Sequence, residues 1–299
     1  MTSHESSPLR YPGGKGGLAP FLGNLLELQQ DRCDVYVEPF AGGAGAALRL
    51  LLDEFVDEVV LNDLDAGIAA FWRCVFQRTE ELAEMAEGAI VTVEEWHRHR
   101  QAYELRGTGQ DELALAFATF FLNRTNRSGI LNARPIGGLR QTGVWKIDAR
   151  FNRAGLARRI RTLGGYRNRV TICEEDGIRM VSRFLSKKTF VYADPPYLVR
   201  GSDLYLDTLT WQDHERLAHL LSGSNARWMV TYDNDERVHA LYPQQRRACF
   251  SIAHTAARPH VGQELAVFAN SLRVDNLTGL GRGAVFDNSE SDGRLGGPT

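Results

Sequence analysis

Asp194-Pro195-Pro196-Tyr197 closes the apolar run Phe190 to Ala193. An exocyclic amine on adenine or cytosine is a poor nucleophile, because its lone pair is delocalised into the ring. Alkylating it requires preorganised acceptors that hold its hydrogens and localise the lone pair toward the electrophile. The Asp194 carboxylate and the Pro195 carbonyl are two such acceptors one residue apart, and Pro195 and Pro196 stiffen the turn that carries them. Tyr197 offers a ring for stacking on a base taken out of its helix. A Pro-Pro turn with Asp194 capping the next helix is the competing reading. The position at the end of an apolar run, with the motifs that follow, favours a site.

Glu38-Pro39-Phe40-Ala41-Gly42-Gly43-Ala44-Gly45 follows a second strand-like run and opens a helical one. Glycines at such a turn let backbone approach a ligand closely. The spacing departs from G-x-G-x-x-G and no Walker lysine follows, so neither a dinucleotide nor a nucleoside triphosphate is indicated. Asp63 ends the next strand-like run about twenty residues on, where an acid can hold the two hydroxyls of a ribose. A helix N-cap is the alternative for Asp63. Taken as a pair, the glycine turn and Asp63 point to an adenosyl-containing ligand. Near the N-terminus, Arg10-Tyr11-Pro12-Gly13-Gly14-Lys15 puts a lysine after a glycine turn, within reach of a carboxylate, or of solvent alone.

These motifs need a scaffold that brings strand ends together. Asp34 to Val37, Glu58 to Leu61, Thr189 to Ala193 and Arg227 to Tyr232 are short apolar runs, each closing on polar residues, and Leu265 to Asn270 is a late strand candidate. Alternating with helical stretches, they predict a doubly wound parallel sheet with the site at its carboxyl edge. Ala66 to Phe121 reads as helical, with core stripes at Phe71, Trp72, Val75 and Phe76 and at Leu113, Phe117, Phe120 and Phe121. Asn123 to Ile147 is Gly-, Asn- and Arg-rich and reads as loop or hairpin, and Ala154 to Leu163 as a helix. The organisation expected is a main α/β domain from 1–70 and 166–275, a helical basic insert from 71–165, and a disordered tail from 276–299.

The 299 residues carry a formal net charge of only −2, yet Asn123 to Arg169 holds twelve arginines and lysines against one acid, Asp148. Such a concentrated cationic stretch suits a polyanion bound at one place. With 43% hydrophobic and 24% charged residues, the composition excludes a wholly disordered chain. No apolar run is long enough to span a bilayer, and Met1 to Leu9 lacks a signal-peptide core, so a cytoplasmic location without membrane attachment is expected. Cys33, Cys74, Cys173 and Cys249 lie far apart and read as buried free thiols, and the histidine spacings suggest no metal site.

Together these segments resemble the Dam-type N6-adenine-specific DNA methyltransferases over roughly residues 8 to 270, in the motif order of the alpha group of amino-methyltransferases. Asn123-Arg124-Thr125-Asn126-Arg127-Ser128-Gly129-Ile130, Pro135-Ile136-Gly137-Gly138 and Tyr232-Asp233-Asn234 add to the likeness. The resemblance implies a Rossmann-like S-adenosylmethionine-dependent methyltransferase sheet with a helical DNA-recognition insert. It implies S-adenosylmethionine as cofactor, held by Tyr11, Lys15 near its carboxylate, Phe40, Gly42, Asp63 at the ribose and Asp176 at the adenine. Asp194 would touch both cofactor and target amine, in a catalytic motif with Pro195, Pro196 and Tyr197. Arg124, Asn126, Arg127, Arg134, Arg140 and Lys146 would contact double-stranded DNA. Many relatives carry an aromatic residue, able to act as a wedge, at the position of Arg127. No obligate protein partner is evident, and a cognate restriction endonuclease is compatible with the resemblance. The same amine chemistry serves cytosine N4, structured RNA or a protein glutamine, and an inactive scaffold that only binds DNA is the non-enzymatic alternative.

Overall fold

The computed structural model describes residues 7–11, 13–186, 188–196, 209–254 and 260–287. Among these residues eight strands form one sheet: β1 (Val35–Glu38), β2 (Glu58–Asn62), β3 (Val170–Cys173), β4 (Thr189–Ala193), β5 (Arg227–Asp233), β6 (Arg246–His254), β7 (His260–Phe268) and β8 (Arg282–Phe286). Their order is β3-β2-β1-β4-β5-β7-β6-β8. The first five are parallel, with Val37 opposite both Val60 and Val191, and β7 enters antiparallel between β5 and β6. The chain winds outward from β1 to β2 and β3, then returns to β4 on the other side of β1. That reversal opens a crevice beyond the carboxyl ends of β1 and β4, where ligands of open α/β sheets bind.

Among the described residues ten α-helices flank or extend this sheet: α1 (Ala19–Glu27), α2 (Gly45–Leu52), α3 (Ala66–Gln77), α4 (Thr79–Glu87), α5 (Val93–Glu104), α6 (Glu112–Thr125), α7 (Arg153–Gly164), α8 (Gly177–Phe184), α9 (Trp211–Ser222) and α10 (Glu236–Leu241). None of the described helices is long and apolar enough to cross a membrane. Central strands are buried on both faces, which is why β4 reads as an unbroken apolar run. Tyr36 stacks on Phe190 within the sheet. Between β2 and β3 the two predicted stripes meet, Phe71 of α3 lying parallel to Phe120 of α6 with centroids 5.6 Å apart. Side-chain caps by Asp65, Asp111 and Asn152 start α3, α6 and α7, each stabilising its helix by about 1 kcal/mol. The expected start of the insert at residue 71 falls inside α3.

Three strands differ from the sequence reading. β3 is four residues long and only partly buried, and β6 begins with two arginines, so neither presents a clear apolar pattern. The segment expected to be a disordered tail from residue 276 is ordered at least to residue 287: β8 pairs with β6, Phe286 opposite Ala248, and Leu280 is fully buried. A buried Arg247 anchors it, its Nε 3.0 Å from Asp287 Oδ2. Residues 288–299 lie outside the described residues. Cys33 and Cys74 are buried thiols as expected, whereas Cys173 and Cys249 are only half-buried.

Candidate active site

A cavity of about 1230 Å³ occupies the crevice at the carboxyl ends of β1 and β4. Tyr11, Lys15, Phe40, Gly42, Asp63, Asp176, Asp194, Pro195 and Pro196 all line it, although they come from five separate stretches of chain. Tyr197, expected to stack on a base, lies outside the described residues.

The loop after β1 is clamped from three sides. Asp63 Oδ2 accepts the Gly42 N–H at 2.9 Å, and Trp72 Nε1 donates to the Gly42 carbonyl at 2.9 Å. The third contact is the Tyr11 ring: a Cβ placed on Gly42 would lie 2.7 Å from Tyr11 Cε1, and Gly42 has φ +46°, so only glycine fits. Asp63 Oδ1 accepts the Asp65 N–H at 3.0 Å. The cap of α3 is Asp65, which accepts from Gly67 and Ile68 N–H, so Asp63 is not the N-cap that the alternative reading gave it. A carboxylate oxygen has two lone pairs, so one that accepts a backbone N–H can also accept a hydroxyl. Beneath the loop Glu38 is buried, its Oε1 accepting from Ala47 N–H at 2.9 Å and Tyr36 O–H at 3.2 Å. Burial pushes its pKa up to about 8. Asp176 caps α8, accepting the Arg179 N–H at 2.7 Å at the cavity rim, and Gly177 admits the Phe40 ring against its backbone.

Asp194 is fixed by groups from two other elements. Its Oδ1 accepts from Thr231 Oγ1 at 2.6 Å and lies 3.1 Å from Lys15 Nζ. Because the Thr231 hydroxyl gives its proton to Asp194, Tyr192 O–H donates to Thr231 Oγ1, 2.9 Å away. Lys15, only 5% exposed, also sits 3.1 Å from Oε2 of the fully buried Glu264 on β7. Burial pushes the Glu264 carboxyl up to about 7 against the pull of Lys15. The Asp194 side chain is one quarter exposed. Its Oδ1 is thus committed to protein donors, and Oδ2 has no hydrogen bond among the described residues. Sequence reasoning missed Thr231, Tyr192 and Glu264. The one available signal was the polar Glu264 at the edge of the run that begins at Leu265. It assigned Lys15 to a cofactor carboxylate, whereas the fold sets Lys15 between two carboxylates of the chain.

The basic insert divides into tied and exposed cations. Asn123 holds the N-terminal segment to α6, its Oδ1 accepting Arg10 N–H at 2.7 Å and its Nδ2 donating to the Arg10 carbonyl at 2.7 Å. Arg124 donates from Nε to the Arg150 carbonyl at 2.8 Å, and burial together with Arg10, Arg159 and Arg150 lowers its pKa. Asn126 corrects the sequence reading. It is fully buried, accepts from Trp96 Nε1 at 2.6 Å and donates to the carbonyls of Ile130 and Leu131, so it shapes the loop and cannot face DNA. Lys146 folds back onto the carbonyls of Gln141 and Gly143. Arg161 pairs with Glu80 and Glu87, and Arg169 with Glu54. Arg127, Arg134, Arg140 and Arg158 are exposed.

Residues 11–259 match the model of the D12 class N6 adenine-specific DNA methyltransferases, most of the chain. The chain belongs to that family, and so is an adenine-specific DNA methyltransferase by descent. It is 25% identical over 202 residues to the Type II methyltransferase M.MjaIII of Methanocaldococcus jannaschii, a match covering 63% of this chain and 68% of that one. Among solved structures it is similar to a SAM dependent methyltransferase from Agrobacterium tumefaciens (10% identity, TM-score 0.38, 85% of this chain and 62% of that). It is also similar to the rRNA methyltransferase aviRa of Streptomyces viridochromogenes (14% identity, TM-score 0.36, 86% of this chain and 84% of that). Those two likenesses are too slight to bear on the reaction.

Proposed function

We propose that this chain methylates the N6 of adenine within a specific site of double-stranded DNA, using S-adenosylmethionine, with the target base flipped into the pocket at Asp194-Pro195-Pro196-Tyr197. The observation that carries this reading is the pinned Asp194. With Oδ1 held by Lys15 and Thr231, Oδ2 is preorganised to accept a hydrogen from an exocyclic amine. The Pro195 carbonyl is the second acceptor, and the two prolines hold both in one geometry. Holding the amine hydrogens turns its lone pair out of conjugation, which an amino group needs before it can attack.

The cavity suits the cofactor in size and in acceptors. Asp63 is the acceptor for ribose hydroxyls, and Asp176 at the rim is the partner proposed for the adenine. Tyr11 and Phe40 supply flat apolar walls, and the side-chain-free Gly42 allows close approach. When bound, S-adenosylmethionine supplies a methyl group on a positively charged sulfur, which needs no further activation. The negative charge of Asp194 beside that position favours the cation. The exposed Arg127, Arg134 and Arg140 are the residues proposed for DNA contact, together with Arg124 and Lys146 insofar as they release their carbonyl partners. A cytoplasmic restriction-modification setting, with a cognate endonuclease, is the context that best suits the likeness to a Type II methyltransferase.

The test is transfer of label from methyl-tritiated S-adenosylmethionine to plasmid DNA, followed by mass-spectrometric identification of the nucleoside. N6-methyladenine in duplex DNA supports the proposal. N4-methylcytosine, or label in RNA alone, refutes it.

A further inference from the structure

The loop from Ile136 to Ile147 is held by its own hydrogen bonds. Gln141 is its hub. Its side-chain amide nitrogen donates to the carbonyls of Ile136 at 2.9 Å and Gly138 at 2.6 Å, while its oxygen accepts the Ile147 N–H at 2.8 Å. Gly143 N–H donates to the Gly137 carbonyl at 3.2 Å, and Lys146 Nζ donates to the carbonyls of Gln141 and Gly143. The base of the loop is buried at Pro135 and at Ile147. Gly137, at φ +83°, lets the Trp145 carbonyl come so near that a Cβ there would lie 2.7 Å from it.

All this order presents an adjacent apolar pair to solvent, with Leu139 46% exposed in the same loop. Val144 is 91% exposed and Trp145 68% exposed, side by side in sequence. By contrast Trp72, Trp96 and Trp228 are buried. Among the exposed charged residues from 134 to 150, Arg134, Arg140, Lys146 and Arg150 are cationic and Asp148 is the one acid. A hydrogen-bonded apolar tip flanked in sequence by a net excess of exposed cations is complementary to a polyanion with an apolar interior, and stacked bases under phosphates have that character. Scattered exposed apolar residues need no explanation, but a preorganised pair at a loop tip does.

We propose that Val144 and Trp145 enter the base stack of duplex DNA beside the target adenine, with Trp145 stacking on the base left behind. Insertion would make extrusion of the target easier, while the cations hold the flanking phosphates. This rests on the duplex-DNA reading above and adds to it a second contact, apart from the Asp194 pocket.

Trp145→Ala, Trp145→Phe and wild type are compared on a fully paired duplex and on one whose target adenine faces an abasic site. Since the side chain is exposed, the variants should melt with the wild type. Trp145→Ala should lower kcat/KM on the paired duplex by about tenfold or more, and Trp145→Phe by much less. On the abasic duplex, where the stack is already weakened, the loss should shrink to about threefold or less. Equal losses on both duplexes, or none on either, overturn the proposal. Emission supplies an arm that needs no turnover. The fluorescence difference between wild type and Trp145→Phe should be quenched when duplex binds, and an unchanged difference on binding overturns insertion. A wild type that binds duplex, quenches Trp145 and transfers no methyl refutes the proposed function while upholding the insertion. Failure to bind duplex at all overturns both.

Discussion

Lys15 Nζ lies 3.1 Å from Asp194 Oδ1, so a lysine from the first glycine turn holds the acid of a motif almost 180 residues away. Its second partner, Glu264, enters on an antiparallel strand that the parallel part of the sheet does not require. A buried cation between two carboxylates fixes geometry more than it adds stability, because desolvation offsets much of the attraction.

Removing that cation should therefore be costly. Lys15→Met leaves Asp194 and Glu264 without it and should destabilise the chain by roughly 3–5 kcal/mol. Adding Glu264→Gln should recover a good part of the loss, since one of the two negative charges that Lys15 balanced is gone. Chemical denaturation of the single and double variants measures this coupling. Additive losses would mean that Lys15 and Glu264 act independently.

Asp63 and its neighbour Asp65 should separate cleanly. Asp63→Ala should weaken S-adenosylhomocysteine binding by roughly 1.5–3 kcal/mol, the worth of charge-assisted bonds to ribose hydroxyls. Asp65→Ala removes the cap of α3 and should lower stability by about 1–2 kcal/mol with a much smaller effect on affinity. Calorimetric titration and thermal melting together decide it. Equal effects on affinity would return Asp63 to a structural role.

Glu38 predicts a pH signature. Its folded pKa is raised from 4.5 to about 8 by burial, so between those values the folded chain keeps a proton that the unfolded chain has released. Stability from this group is full below pH 4.5 and is lost as pH rises toward 8. Glu38→Gln keeps the acceptor for Ala47 and removes the titration. Its Tm relative to wild type should climb steadily across that window. Parallel Tm curves for the two proteins would show that Glu38 is already ionised when folded.

The arginines should divide by their partners. Arg158 is exposed, whereas Arg161 is paired with Glu80 and Glu87. Arg158→Ala should flatten the salt dependence of duplex binding by about one unit of slope, and Arg161→Ala should leave it unchanged. Arg134→Ala or Arg140→Ala should relax the choice of site, at roughly 1–3 kcal/mol on the preferred sequence. Binding to cognate and scrambled duplexes at several salt concentrations reads both effects. Equal slopes for Arg158→Ala and wild type would remove α7 from the DNA face.

What the sequence disclosed follows from where each element sits. β1, β2, β4 and β5 were legible because strands buried on both faces read as apolar runs with polar ends. β6 and β8 were not, since Arg246, Arg247 and Arg282 interrupt the pattern, and the burial of Arg247 beside Asp287 depends on the finished fold. The contiguous motifs around Gly42 and Asp194 could be read locally. Thr231 and Glu264 could not, because only the strand order β4-β5-β7 brings them beside Asp194. Charge counting overstated the free cations of the insert, for Arg161 and Arg169 are paired within the protein.

The central claim is that Asp194 positions the amine of adenine. The most direct measurement is single-turnover methyl transfer from S-adenosylmethionine to a duplex bearing the mapped site, by wild type and Asp194→Ala, with binding of both ligands measured alongside. The account predicts N6-methyladenine as the wild-type product. For the variant it predicts a rate at least ~10²–10³ lower, with the fold and most of the duplex affinity retained. A variant that turns over within about tenfold of wild type would contradict it, because one preorganised acceptor at the reacting amine is worth more than that.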